Sequence, residues 1–173
     1  MPAEEGLCLI DQHLAHVNIL YYNFMQRMEQ QAACSQQLLF PDTIDLSKDD
    51  AVLLGEMQSD LRSLGFDVEA IGPESFIING VPAELTNQNG VRALMDILSE
   101  IKSSGVNSKQ HWRGRISSAL AADVAIPYGR TLNTDEMKDL VERLVALPVP
   151  ALTPRGEHVM AMLTFKEIEM LFK

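Results

Sequence analysis

Cysteine is scarce: Cys8 and Cys34 are the only two in 173 residues. That excludes a disulfide-stapled framework and reads as two reduced thiols in a cytosolic protein. Cationic charge is also short, with 14 Lys and Arg against 24 Asp and Glu, a formal net charge of −10. Nucleic-acid affinity grows from basic groups neutralising phosphates, so tight DNA binding by this chain alone is disfavoured. No apolar run approaches the roughly 20 residues that span a bilayer. The start carries Glu4 and Glu5 and no long apolar stretch, unlike a secretory signal. Starting almost at once in a strand suggests a domain of a longer chain. Internal repeats, Walker loops and dinucleotide fingerprints are absent.

What is present is a sizeable hydrophobic complement, 46% of residues, enough for one domain or two small lobes. Apolar periodicity predicts mixed α/β structure. A strand is expected over 5–11 and a long helix over 12–33, with Leu14, Val17, Leu20, Tyr21, Phe24 and Met28 near helical spacing. Ser47 with Asp50 marks a capped helix start, and Gly65 marks its left-handed exit. Two strands, 66–71 and 76–78, flank a Gly72-Pro73 turn and form a hairpin. Val81-Pro82 opens a connector. Helices are expected near 88–103, with Val91, Leu94, Met95, Leu98 and Ile101 inward, and near 110–123, with a loop over 105–108 between them. Asn133 or Thr134 caps another helix, whose stripe is Met137, Leu140, Val141, Leu144 and Val145. A strand follows at 158–163, then Thr164 and Glu167 form a capping box for a short last helix.

Chemistry is sparse. The strand ending in Asp11-Gln12-His13 places polar groups at a rigid strand-to-helix junction. His13 and His16 share a helical surface but fall short of a metal-ligand set, so structural histidines and a helix-capping Asp11 are the simpler reading. Gly129-Arg130 and Arg155-Gly156 match no phosphate loop; a turn glycine and surface arginines account for them. His111-Trp112-Arg113-Gly114-Arg115 is the one aromatic-basic cluster. It could stack on nucleic acid, although Trp112 packed at a helix start explains it equally.

At LCLIDQHLAH the chain resembles the C-terminal domain of the MutL family of DNA mismatch-repair proteins, and the resemblance spans nearly the whole sequence. Nuclease-active members carry Asp-Gln-His-Ala, two residues, Glu, four residues, Glu. This chain keeps Asp11, Gln12 and His13 but has Leu14 at the Ala place and Val17 and Tyr22 at the two Glu places. The family's Ala-Cys pair reads Ser118-Ala119-Leu120-Ala121, while Leu132 through Glu136-Met137 is retained. The terminal Cys-Pro-His-Gly-Arg-Pro reads Thr153-Pro154-Arg155-Gly156-Glu157-His158. The resemblance therefore implies a degenerate nuclease motif, no catalytic residue, no cofactor and no metal.

It also implies a two-lobed α/β fold: an inner dimerisation lobe from 1–46 and 125–173, and an outer lobe over 47–124. The chain would homodimerise, linking separate N-terminal ATPase domains. Leu14, Leu20, Tyr21 and Phe24 are candidates for core or dimer interface. Gln36-Gln37-Leu38-Leu39-Phe40-Pro41 matches the family's Gln-x-x-Leu-x-Pro pattern for the replication sliding clamp. There Gln36 would be a polar anchor, Leu39 an apolar plug and Pro41 a conformational lock. The plain alternative is a strand entering the inner-lobe sheet. Other repair proteins would be reached through the full-length chain, with weak or no DNA binding here and a cytoplasmic setting. Two rival readings remain: an atypical metal-dependent DNA endonuclease using Asp11, His13 and Glu157 or His158, and a monomeric small-molecule-binding α/β module.

Overall fold

The computed structural model describes residues 2–3, 6–31, 34–85, 89–103 and 109–172. The loop expected at 105–108 lies outside these, as do position 5 of the first strand, positions 32–33 and 88 of two expected helices, and the side chain of His111. By internal contacts the chain divides into two compact units, Met1–Leu20 with Ala125–Lys173 and Tyr21–Val124.

The first unit holds a three-stranded antiparallel sheet of β1 (Pro2–Ala3), β2 (Gly6–Ile10) and β6 (Met160–Thr164), in the order β1-β2-β6. Leu7 pairs with Leu163 and Leu9 with Ala161. The strands at the two ends of the chain thus close on each other, because a lone terminal strand has unpaired amides and carbonyls. Helix α1 (Gln12–Gln30) begins here, and α5 (Thr134–Val145) and the short α6 (Phe165–Met170) belong to the same unit. Ala15, Ile19, Leu132, Leu140, Leu144 and Val159 form its core, with Ile10, Leu14 and Met160 packed against it. Asn133, rather than Thr134, caps α5: its side chain accepts from the amides of Asp135 and Glu136, and Glu136 returns the bond. In α5 only Leu140 and Leu144 are buried; Met137 and Val145 of the expected stripe are exposed. The capping box of Thr164 and Glu167 starts α6 as expected.

The second unit holds the remainder of α1, a sheet of β3 (Ser35–Asp45), β4 (Asp67–Ala70) and β5 (Ser75–Pro82) in the order β3-β5-β4, and the helices α2 (Lys48–Leu64), α3 (Gly90–Ser103) and α4 (Lys109–Val124). β4 (Asp67–Ala70) and β5 (Ser75–Pro82) form the expected hairpin. β5 runs on through Val81 and Pro82, which the sequence suggested were connector; pairing of Pro82 with Ser35 of β3 (Ser35–Asp45) extends it. That same pairing corrects the expected placement of 35–45. β3 enters the sheet of the middle unit, not the inner-lobe sheet, and residues 21–46 group with 47–124 by internal contacts. Ser47 caps α2 and Gly65 ends it at φ 106°, a backbone angle that L side chains rarely adopt. Ala51, Leu54, Met57, Leu61 and Leu64 make its buried stripe at helical spacing. In α3 the buried side is Ala93, Leu94, Ile97, Leu98 and Ile101, so Met95 points outward, 43% exposed.

Candidate functional site

The strand-to-helix junction is occupied by backbone bonding. Asp11 Oδ1 accepts from the Leu14 amide at 3.0 Å, capping α1, while its own amide donates to Val159. Gln12 Nε2 donates to the Arg130 carbonyl at 2.6 Å. His13 Nδ1 lies 2.8 Å from the Ile126 carbonyl, and a carbonyl can only accept, so His13 carries its proton on Nδ1. The Ile126 amide donates to His16 Nδ1 at 3.0 Å, so His16 must be unprotonated there. Two histidines one helical turn apart thus hold both polar groups of one peptide residue, in opposite tautomers. Burial lowers the His16 pKa to about 4, and the nearby Arg143, Arg130 and His13 add to this against Asp139. His13 also contacts Tyr128, with ring centroids 4.3 Å apart.

The two positions where carboxylates would complete a metal site hold other chemistry. Val17 is buried, and Tyr22 sits half-buried and edge-on to Tyr21 at 5.3 Å. Glu157 binds Thr153 through backbone and side chain, and His158 makes an isolated bridge with Leu152. Among the described residues no group of three or more His, Cys, Asp or Glu could hold a metal ion. Asp11 Oδ1 caps a helix and both imidazole Nδ1 atoms are engaged by backbone; these bonds involve neither Asp11 Oδ2 nor the two Nε2 atoms.

The described side chains of the aromatic-basic cluster are engaged within the chain. Trp112 is buried. Arg113 pairs with Asp60 at 2.9 Å and Arg115 with Glu100 at 3.5 Å. Arg130 pairs with Glu136 at 2.8 Å, next to Gly129 at φ 83° in a turn. Each of these three arginines is thus paired with a carboxylate of the chain.

The segment with the Gln-x-x-Leu-x-Pro pattern is an irregular strand edge. β3 is an edge strand, and its register jumps: Gln37 faces Gly80 but Asp42 faces Ile78. Residues 38–41 therefore stand opposite Asn79 alone, and bulge away from the ladder. Leu39 is 93% exposed and Phe40 85% exposed, while Leu38 is half-buried. Gln36 and Pro41 are both on the surface.

A second exposed apolar surface lies on the sheet of the first unit. Side chains alternate across a strand, so Leu7 and Leu9 share one face with their cross-strand partners Leu163 and Ala161. Ile10 and Met160, on the opposite face, pack on the core. Leu7, Leu9 and Ala161 remain exposed and Leu163 half-buried. Phe165, Met170, Leu171 and Phe172, at and after α6, are exposed as well.

A family model described as the MutL C terminal dimerisation domain matches residues 1–132. The chain belongs to that family. It is 35% identical over 170 residues, 98% of its length, to the DNA mismatch repair protein MutL of Bacteroides fragilis (strain YCH46). Similarity to the MutL proteins of Parabacteroides distasonis and Chlorobaculum tepidum is comparable, 35% over 98% of the chain and 33% over 96%. The chain spans about a quarter of the length of these curated relatives, 27% of the first. The description of this MutL C-terminal family names dimerisation. Among the described residues no helix is long and apolar enough to cross a membrane.

Of the sequence candidates for core or interface in this MutL C-terminal domain, Leu20 and Phe24 are buried within the chain. Leu14 packs on the first unit's core, and Tyr21 is half-buried. The exposed face of Leu7, Leu9, Ala161 and Leu163 escaped sequence reasoning. Its signal was available: Leu7-Cys8-Leu9-Ile10 is apolar without alternation, the pattern of a strand with two apolar faces. One face serves the core and the other is left over.

Proposed function

We propose that this chain is the homodimerisation and partner-docking domain of a DNA mismatch-repair protein, without a complete endonuclease metal site. The observation that carries the reading is the exposed apolar face of β2 and β6. A contiguous apolar face on a domain of a dimerisation family asks for a cover, and a second copy supplies one by two-fold symmetry. Each Leu7 and Leu9 would meet the same surface of the partner. In the full-length protein the joined pair would raise the effective concentration of the N-terminal ATPase domains for each other. The direct test is mass in solution: the wild type sediments as a dimer, and Leu9→Asp as a folded monomer. A wild-type monomer at high concentration rejects the reading.

A second role rests on the bulge in β3. Its Gln36, Leu39 and Pro41 match the family's clamp-contact pattern, and the exposure of Leu39 leaves that side chain free to enter a partner's pocket. We propose that this segment docks on the replication sliding clamp. Leu39→Asp is expected to weaken clamp binding and leave dimer mass unchanged; loss of both would mean damaged folding.

A further inference from the structure

We propose that the polar concavity between the end of α1 and the last turns of α2 is a receptor for one carboxylate of a partner protein, with Arg62 as its cationic anchor. The proposal depends neither on self-association through the sheet nor on clamp docking.

The concavity has a volume of about 400 Å³ and is lined by Gln31, Gln58, Ser59, Arg62 and Ser63, all within the second unit. Helical spacing brings three of these together: Arg62 and Ser63 follow Ser59 by three and four residues, on one side of α2. Gln31 is the residue after α1. At φ 52° it is the only non-glycine residue with a left-handed backbone among the described residues. A helix exit of this kind ordinarily falls to glycine, so the chain accepts strain there and keeps an amide side chain on the wall.

Arg27, Arg92, Arg113, Arg115, Arg130 and Arg143 each pair with a carboxylate. Arg62 is exposed and pairs with none among the described residues. Its place in the last turn complements the negative end of α2, an interaction that leaves the guanidinium fork open. The side chains of Gln31 and Ser59 are likewise unengaged among the described residues. Gln58 donates to the Val68 carbonyl at 2.9 Å, and Ser63 to the Ser59 carbonyl at 3.0 Å. Those two bonds hold the wall and leave a guanidinium, an amide and a hydroxyl as donors on its surface.

Such a donor set fits an oxyanion, because the planar fork meets two oxygens at once. Three features select a single carboxylate. No apolar side chain is among the described lining residues, so a nucleotide base finds nothing to stack on. The negative end of α2 opposes a second charge on the ligand, which favours a monoanion over phosphate. Exposed Glu56 lies one turn before Ser59, and the chain carries −10 overall, so the repeated phosphates of a nucleic acid meet more repulsion than one carboxylate does.

The experiment titrates the whole folded, isotope-labelled chain with N-acetylglutamate α-amide for a side-chain carboxylate, N-acetylglycine for a chain terminus, and inorganic phosphate. Backbone amide and Arg62 Nε–H resonances are followed in the wild type, Arg62→Gln and Arg62→Lys. Arg62 is exposed, so both variants are expected to fold, which circular dichroism checks. At least one carboxylate should shift the Gln31, Ser59 and Arg62 resonances saturably, with phosphate binding more weakly. Arg62→Gln is expected to raise the Kd about tenfold or more, the order lost with a charge-assisted hydrogen bond. Arg62→Lys should fall between, because an ammonium lacks the fork. Tighter binding of the first probe assigns an acidic side chain as the partner's group, and of the second a chain end. No saturable shift with either carboxylate, phosphate binding tighter than both, or an Arg62→Gln variant that titrates as the wild type overturns the proposal.

Discussion

Acidifying the protein from pH 7 to pH 4.5 should weaken the first unit through His16, and the size of the loss follows from its bonding. His16 Nδ1 accepts from the Ile126 amide, and its pKa falls from 6.5 to about 4 through burial and the nearby Arg143, Arg130 and His13, with Asp139 opposing. The sign is fixed by which state holds the proton. Below pH 6.5 the unfolded chain protonates this imidazole, while the folded chain resists until about pH 4. Stability from this group is therefore full above 6.5, falls between 6.5 and 4, and is flat below. Taken whole, the shift corresponds to about 2.5 kcal/mol lost by pH 4.5. The ring keeps some exposure, so solvent screening reduces the figure to about 1–1.5 kcal/mol. The comparison variant is His16→Asn, whose Oδ1 can accept the same amide without titrating. Urea unfolding at fixed protomer concentration, at several pH values from 7 to 4.5, gives both slopes. The wild type should lose more stability than His16→Asn over this range, by about that amount. Equal slopes would refute the assignment of His16 as a neutral acceptor.

Three further outcomes follow from packing and bonding. Phe24 is fully buried, so Phe24→Ala should cost about 3–5 kcal/mol in a denaturant midpoint series; a loss below 1 would mean the site collapses or the ring is not buried. Gly65→Ala should destabilise by about 1 kcal/mol or more, because φ is 106° and a Cβ there would press on the Cys34 carbonyl; an unchanged Tm would contradict the left-handed cap. Adding manganese or zinc should leave the Tm where it was, since among the described residues no group of three or more His, Cys, Asp or Glu could hold an ion; a saturable rise would indicate a bound ion.

Local chemistry made most elements legible before the fold was known. Ser47, Gly65 and Thr164 mark helix ends because caps and left-handed exits depend on neighbouring atoms only. The hairpin at 67–82 was legible for the same reason: its turn is local. What needed the fold was pairing between distant segments. Nothing local says that Ser35 meets Pro82, and that contact moved β3 into the middle unit and carried β5 past the supposed connector. Helix periodicity gave the inward stripe of Leu94, Leu98 and Ile101 in α3 but widened it on the wrong flank, to Met95 instead of Ile97, which lies about 200° away on the wheel. At the site, Val17 and Tyr22 could be read directly, whereas the histidine bracket around Ile126 could not, because its partner lies more than a hundred residues away. The exposed sheet face was concealed by the habit of reading an unbroken apolar strand as core.

In the proposed dimer, two copies of this chain cover each other through the face of Leu7, Leu9, Ala161 and Leu163. Sedimentation velocity over a wide dilution series, wild type beside Leu9→Asp, tests it most directly. The wild type is expected at twice the chain mass, persisting into the micromolar range, and the variant as a folded species of single mass. A wild type that stays monomeric at high concentration, or a Leu9→Asp variant that dimerises as the wild type does, would contradict it.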